Sequence, residues 1–346
     1  VDWLLDPTVT HLNHGSYGAC PRPVVEAWQA WQRELERSPT DFLWRRLPGL
    51  LDEVRDSLGE LVGARSSDLA LVHNSTSGLN AAIRSLRLGP GDEVLTTTHE
   101  YGALVKTWAF VDATLVAADP EAIPDAIGPR TRVVFLSHVT SETARVLPVE
   151  EACVAARKAG ALAVVDGAHV PGHLPLDLGV LGADVYAGNC HKWLCAPKGS
   201  AFLWARPEHH GWIEPVVTSW GWGPEAAFAE KHEWQGTFDP SAWLTIPSAI
   251  ETWRSFDLDR CHAVAAHGRE LLPPIEGRPA PCMWATELPA GSSATLGRTL
   301  FERYRIEVPV HEWQGRCLLR VSIAPYNDEA DVERLAAALR AESALL

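Results

Sequence analysis

Three short segments carry residues whose types and spacing suit a single chemistry. In "GNCHKWLCAPKGSAFL" (188–203), Lys192 follows His191 in a polar turn between two apolar runs. A lysine stripped of water beside another basic group favours the neutral, nucleophilic amine. Seen alone, such a lysine is more often a surface residue. In "LAVVDGAHVPGHLPLD" (162–177), Asp166 ends a strongly apolar run, where a carboxylate faces a ligand edge. An aspartate there also serves turns and helix caps. In "HNSTSGLNAA" (73–82), a hydroxyl-rich loop opens a helix, and its backbone N–H groups suit an anion. Ser and Thr also make ordinary caps. Neither P-loop nor G-x-G-x-x-G spacing is present.

Together these parts make one device: an anion cradle, an amine, and an acid upstream of the amine. An acid against a pyridinium nitrogen keeps that ring protonated and able to accept electrons. That is the main electronic contribution of a protein to pyridoxal 5′-phosphate (PLP).

The elements that must position these groups follow an alternating grammar. Residues 22–37 and 48–62 read as amphipathic helices. "DLALVHNSTSGLNAAIRSL" reads as strand, loop and helix, and "GPGDEVLTTT" as turn and strand. "RVVFLSHV" is a strand, and "VEEACVAARKAG" a helix closed by Gly160. "ALAVVDGAH", "ADVYAGNCHKWL" and "GSAFLWA" add three further strands. Short apolar runs alternating with helices predict an α/β fold with a mostly parallel central sheet flanked by helices. Polar residues gather where the strands end, the edge at which such sheets bind ligands.

Beyond about residue 250 the pattern changes. "SAIETWRSFDLDRCHAVAAHGRELL" reads as one long or broken helical linker. A strand at 282–288, a helix at 294–304, strands at 305–310 and 317–323 and a helix at 328–343 follow. This is a smaller C-terminal α+β domain. The division expected is a large domain over 14–250, and a small one made of 1–13 with 251–346.

Composition excludes several function classes. The 346 residues carry a net charge of −14 and no Lys/Arg run, which argues against nucleic acid and anionic membranes. No long apolar run predicts a membrane span. The start has no basic stretch followed by an apolar one, so no signal peptide is expected. Val1 is not an initiator Met, so a few preceding residues are expected. Seven cysteines without a C-x-x-C predict reduced thiols and a cytoplasmic location. His-Glu-Trp-Gln-Gly occurs at 232–236 and 311–315, but its flanks differ and no H-E-x-x-H results, so no metal site is expected. Most of the fifteen Trp should be core or interface anchors.

The ordered segments "LNHGSYGACP" (12–21), "NSTSGLNAAI" (74–83), "HEYGAL" (99–104), "SHVTSETARVLPV" (137–149), "VVDGAHVPGHLPLDL" (164–178), "GNCHKWLCAPKGSAFL", "GTFDPSAW" (236–243) and "LRVSIAPYN" (319–327) resemble the class V aminotransferase family of fold-type I PLP enzymes, and within it the isopenicillin N epimerase-like subgroup. The resemblance spans nearly the whole chain. It implies that Lys192 carries PLP as a Schiff base and that Asp166 pairs with the pyridine nitrogen. It implies His169 near the phenolic oxygen, and Ser75, Thr76, Asn189 and His191 around the phosphate. Thr237 would reach a phosphate across a homodimer interface. Tyr101 would stack on the ring, with His99 as second choice for that place. Arg320 would pair with the substrate carboxylate, while Asn13 and His14 would line the substrate side. Two positions depart from the family. Ser141 stands where desulfurase relatives have asparagine near the phenolic oxygen, and Ala144 where glycine is usual.

The implied activity is chemistry at the α-carbon of an amino acid. Epimerisation or racemisation needs acid/base groups on both ring faces: Lys192 on one, and Tyr101, His99 or Tyr326 on the other. The alternative is C–S β-elimination from a cysteine-derived substrate. Transamination and a non-catalytic scaffold rank lower. Persulfide-forming desulfuration also ranks lower, because no R-x-G-x-x-C precedes Arg320 and Cys317 falls in the same predicted strand.

Overall fold

The computed structural model describes residues 1–289, 292 and 295–343. The short strand β1 (Thr10–His11) opens the chain. Then β2 (Leu69–Val72), β3 (Glu93–Thr97), β4 (Thr114–Ala118), β5 (Thr131–Ser137), β6 (Leu162–Asp166), β7 (Val185–Asn189) and β8 (Ala201–Ala205) form a seven-stranded sheet in the order β2-β8-β7-β6-β5-β3-β4. Only β8 runs against its neighbours, so β2 to β7 all end at one edge.

The continuous apolar runs are explained by burial on both faces. Alternate residues of one strand enter opposite layers. Val134 and Leu136 enter the layer of the helix Val149–Ala159, which packs on β5 and β6, and the same layer holds the helix Leu47–Val62 beside β2. Val133 and Phe135 pack with Ser75–Ser85 and with Trp108 of Gly102–Phe110. Gly160 takes the left-handed conformation that closes its helix (φ 72°). The edge strand β4 escapes the sequence reading, since its residues are mostly exposed and it shows no buried run.

The second sheet contains β9 (Met283–Glu287), β11 (Val310–Trp313) and β12 (Arg316–Ser322), antiparallel in the order β11-β12-β9. Between them β10 (Ile306–Glu307) pairs in parallel with β1, which ties the N-terminal arm to this layer. The strand expected over 305–310 is therefore two. Pro309 separates them, because it has no N–H to continue a ladder. The expected linker helix is also two, Ile246–Arg254 and Leu258–Leu271. The second starts where Asp257 Oδ1 accepts the Arg260 N–H (3.0 Å). The helix expected at 294–304 runs Thr295–Tyr304, and residue 294 lies outside the described residues. Cys317 lies within β12, not on a loop.

Candidate active site

The sheet register builds the site. Ser137 and Asp166 stand side by side at the ends of β5 and β6, and Asp166 pairs with Ala187, two residues before the end of β7. Lys192 lies just beyond β7, in a turn where Cys195 is held at a left-handed φ of 58°. Lys192 Nζ lies 3.0 Å from His169 Nε2, and His169 is itself buried. Burial, with the Arg320 guanidinium as second cause, lowers the Lys192 amine to about 7, while Asp166 and Glu142 push the other way. Burial raises the Asp166 carboxyl to about 6, against the pull of the Ala168 N–H, which donates to Oδ1 (3.0 Å), and of Lys192.

Asp166 has a buried carboxylate neighbour that the sequence reading did not single out. Glu100 accepts from Thr97 Oγ1 (2.6 Å) and from both N (2.7 Å) and Oγ (2.6 Å) of Ser137, so it clamps the ends of β3 and β5.

The helix Ser75–Ser85 begins with a reciprocal cap between Asn74 and Ser77. Asn189 Oδ1 accepts the Ser75 N–H (2.9 Å) and so fixes this helix start against β7. Ser75 Oγ is buried without a partner, which suits an incoming phosphate oxygen. His191 Nδ1 donates to the Ser200 carbonyl (3.2 Å), and burial lowers its ring to about 4. Donation from its Nε2 to a phosphate therefore requires a second proton, which the anion would itself favour. Amine, acid and helix N-terminus fit a phosphorylated pyridine aldehyde.

Arg320 projects from β12 and is buried. Its Nη1 donates to Ser141 O (2.6 Å) and its Nη2 to Ser16 Oγ (2.7 Å). Its Nε has no partner, and among the described residues no carboxylate lies within ion-pair range of it. Ser141 thus sits against Arg320 through its carbonyl, and its Oγ lies 3.3 Å from Nη1. The neighbouring Glu142 keeps a buried, unpartnered Oε2, while its carbonyl accepts from His311 Nε2 (3.1 Å). Ala144 adopts φ 53°, so the backbone form that usually needs glycine is kept with a methyl group, at a steric cost.

His14 is buried, with Nε2 3.0 Å from the Lys192 carbonyl and Nδ1 3.2 Å from Tyr326 Oη. Asn13 turns to Glu307 (3.1 Å) and Ser16 (2.5 Å). His99 is held by Thr143 Oγ1 (2.9 Å) and Arg145 (3.4 Å), and it packs against Trp313 in a tilted arrangement with ring centroids 4.7 Å apart. Tyr326 is committed to His14. Tyr101 is 41% exposed, and among the described residues its hydroxyl has no partner. Thr76 accepts a bond from Asn80 Nδ2 (2.9 Å) through its carbonyl. Thr237 is exposed and lines a cavity of about 340 Å³ with His73 and Ser77 of its own chain. Ser16, Glu100 and Glu142 lie inside quoted motifs, but nothing in the sequence distinguished them from cap or turn residues.

The family model for class-V aminotransferases matches residues 21–268. The chain belongs to that family. It is 38% identical to isopenicillin N epimerase of Amycolatopsis lactamdurans, over 97% of this chain and 96% of the relative. It is 29% identical to a probable chloroplastic L-cysteine desulfhydrase of Arabidopsis thaliana, over 95% of this chain and 82% of the relative. The cystine C–S lyase C-DES shares its fold, with a TM-score of 0.84 at 23% identity, over 96% of this chain and 97% of that one. The class-V family is PLP-dependent, and this member is a PLP enzyme acting on an amino-acid substrate. Among the described residues no helix is long and apolar enough to cross a membrane.

Proposed function

We propose that this enzyme inverts the α-carbon of an amino-acid substrate, an epimerase or racemase, with Lys192 as proton carrier on one face and Tyr101 on the other. The observation that carries the reading is the buried Arg320, which has no carboxylate within ion-pair range among the described residues and lies close enough for its charge to act on Lys192. A substrate carboxylate on its planar fork brings the α-carbon toward the amine. Bound PLP supplies an electron sink for the charge left when Cα loses its proton. Lys192, lowered to about 7, accepts that proton and returns it at neutral pH. Tyr101 is chosen because its hydroxyl has no partner among the described residues, whereas Tyr326 and His99 are hydrogen-bonded to His14 and Thr143. Asp166 would keep the ring of a bound PLP protonated, and the start of Ser75–Ser85, with Ser75 and Thr76, would hold its phosphate.

The same reading includes a homodimer, with Thr237 completing a partner's phosphate site. In its support, Trp44 (78% exposed) and Trp220 (92% exposed) flank Thr237 along one open groove. Seven free cysteines support a cytoplasmic location. The separation of the seven-stranded sheet from the three-stranded sheet and the β1–β10 pair supports the division into 14–250 and 1–13 with 251–346.

Incubation with L-amino acids in deuterated water tests the assignment. Deuterium at Cα together with D-product is the expected result. Pyruvate and a released thiol would replace this reading with C–S β-elimination. Tyr101→Phe should keep Cα exchange from the L-isomer and lose D-product.

A further inference from the structure

One helical turn, His14–Tyr17, touches both ends of the reacting arrangement. The Lys192 carbonyl can only accept, so His14 Nε2 carries the proton and donates to it (3.0 Å). His14 Nδ1 is then an acceptor, and Tyr326 Oη–H donates to it (3.2 Å). Two residues further on, Ser16 Oγ accepts from Arg320 Nη2 (2.7 Å) and donates to Asn13 Oδ1 (2.5 Å). The turn is docked on the strand that carries Arg320: Asn13 forms a bridge with Ser322, and the Ser322 N–H donates to Leu12 O (2.8 Å).

The turn has no slack. A Cβ on Gly15 would fall 2.8 Å from both Met283 Sδ and Ser322 Oγ. A Cβ on Gly18, at φ +69°, would clash with the His191 carbonyl. The turn is thus wedged between the small sheet and the lysine turn, whose left-handed Cys195 must be held by its surroundings. Close-packed contacts of this kind transmit a displacement instead of absorbing it.

We propose that the turn Asn13–Gly18 couples the two sites: His14 positions Lys192, Ser16 positions Arg320, and a carboxylate arriving at Arg320 is felt at Lys192. The inference rests on the proposed function, in which Arg320 takes the substrate carboxylate. An arriving carboxylate competes with Ser16 and Ser141 for the guanidinium protons, and Ser16 shares one wedged turn with His14. Both are positioning residues.

The test crosses the two sites, because coupling is reciprocal. Two quantities are read on the PLP-loaded protein: the pH midpoint of its visible band, which reports Lys192, and its affinity for propionate, which reports Arg320. Ser16→Ala should move the midpoint by about half a unit, and His14→Leu should weaken propionate about fivefold. His14→Gln, which retains a donor and an acceptor, should restore most of that affinity. Tyr326→Phe breaks the same relay from its far side and should act like His14→Leu, so poor folding of His14→Leu leaves the test intact. In the Tyr326→Phe background the Ser16→Ala shift should fall by about half or more. An undiminished shift would mean that the field of Arg320 acts directly, and it overturns the coupling. So does a result in which each variant changes only its own site. A wild-type protein that gains no visible band with PLP overturns the coupling and the proposed function together.

Discussion

Lys192 Nζ stands 3.0 Å from His169 Nε2, and the other side of that ring decides where the proton sits. Trp193 Nε1–H donates to His169 Nδ1 (3.4 Å), so the ring proton is on Nε2 and points at the amine. Only a neutral amine can accept it. Burial holds the His169 ring well below its usual value, so the ring stays neutral, and burial with Arg320 lowers Lys192 to about 7. The geometry and the two pKa directions agree.

The first prediction concerns that amine. Below about 7 it is protonated, and above it is free to react with an aldehyde. Capture of PLP by cofactor-free protein should therefore accelerate with rising pH and level off above about 7. Stopped-flow absorbance measures this, and a midpoint near 10 would sink the assignment. Lys192→Ala should abolish the visible band and lower turnover by roughly 10²–10⁴-fold.

Arg320→Lys tests the carboxylate site. An ammonium keeps the charge but loses the fork held between Ser141 and Ser16. Hydrogen bonds to charged groups contribute about 1.5–3 kcal/mol, so kcat/KM should fall about 10- to 150-fold, with KM carrying most of the change. An unchanged KM would show that substrate carboxylates bind elsewhere.

Gly18→Ala is expected to be severe. The added methyl group meets the His191 and Lys192 carbonyls at a positive φ. Thermal unfolding should show a loss of about 1–3 kcal/mol, accompanied by weaker PLP retention. A variant with wild-type stability and loading would show that the lysine turn can move.

Glu100 makes a stability prediction with a definite sign. Burial raises its carboxyl to about 7 from an ordinary 4.5, although Ser137 and Thr97 pull it down. The folded protein therefore holds this proton more tightly than the unfolded chain does. The stabilisation is full below about 4.5 and is lost as pH rises through 7. Glu100→Gln should flatten the decline in stability across that window by up to about 1.4 kcal/mol per pH unit. Glu233, also raised to about 7 by burial, leaves a residual slope. Denaturant melts at pH 5 and pH 8 decide it, and an identical decline in both proteins would refute the role.

The fold was largely legible because its elements are written locally. The doubly buried strands read as short apolar runs, and the helix Arg22–Arg37 has the expected limits. What escaped depends on partners distant in sequence. β4 is an exposed edge strand recognisable only beside β3. β1, two residues long, is a strand only because β10 lies next to it. At the site, His14 and His99 are types suited to proton transfer, yet each is spent on neighbours far along the chain: Lys192 and Tyr326 for one, Thr143, Arg145 and Trp313 for the other.

The sequence by itself determined which groups are available: an amine after β7, an acid at the end of β6, a capped helix after β2, and an arginine in a late strand. Those follow from residue type and local periodicity, which act over a few residues. The tertiary structure alone decided their states and company. Desolvation and the fields of Arg320, Asp166 and Glu142 set the Lys192 proton, and these groups come from separate parts of the chain. Whether a histidine is a catalyst or a strut depends on which atoms reach its two nitrogens, and only packing supplies those.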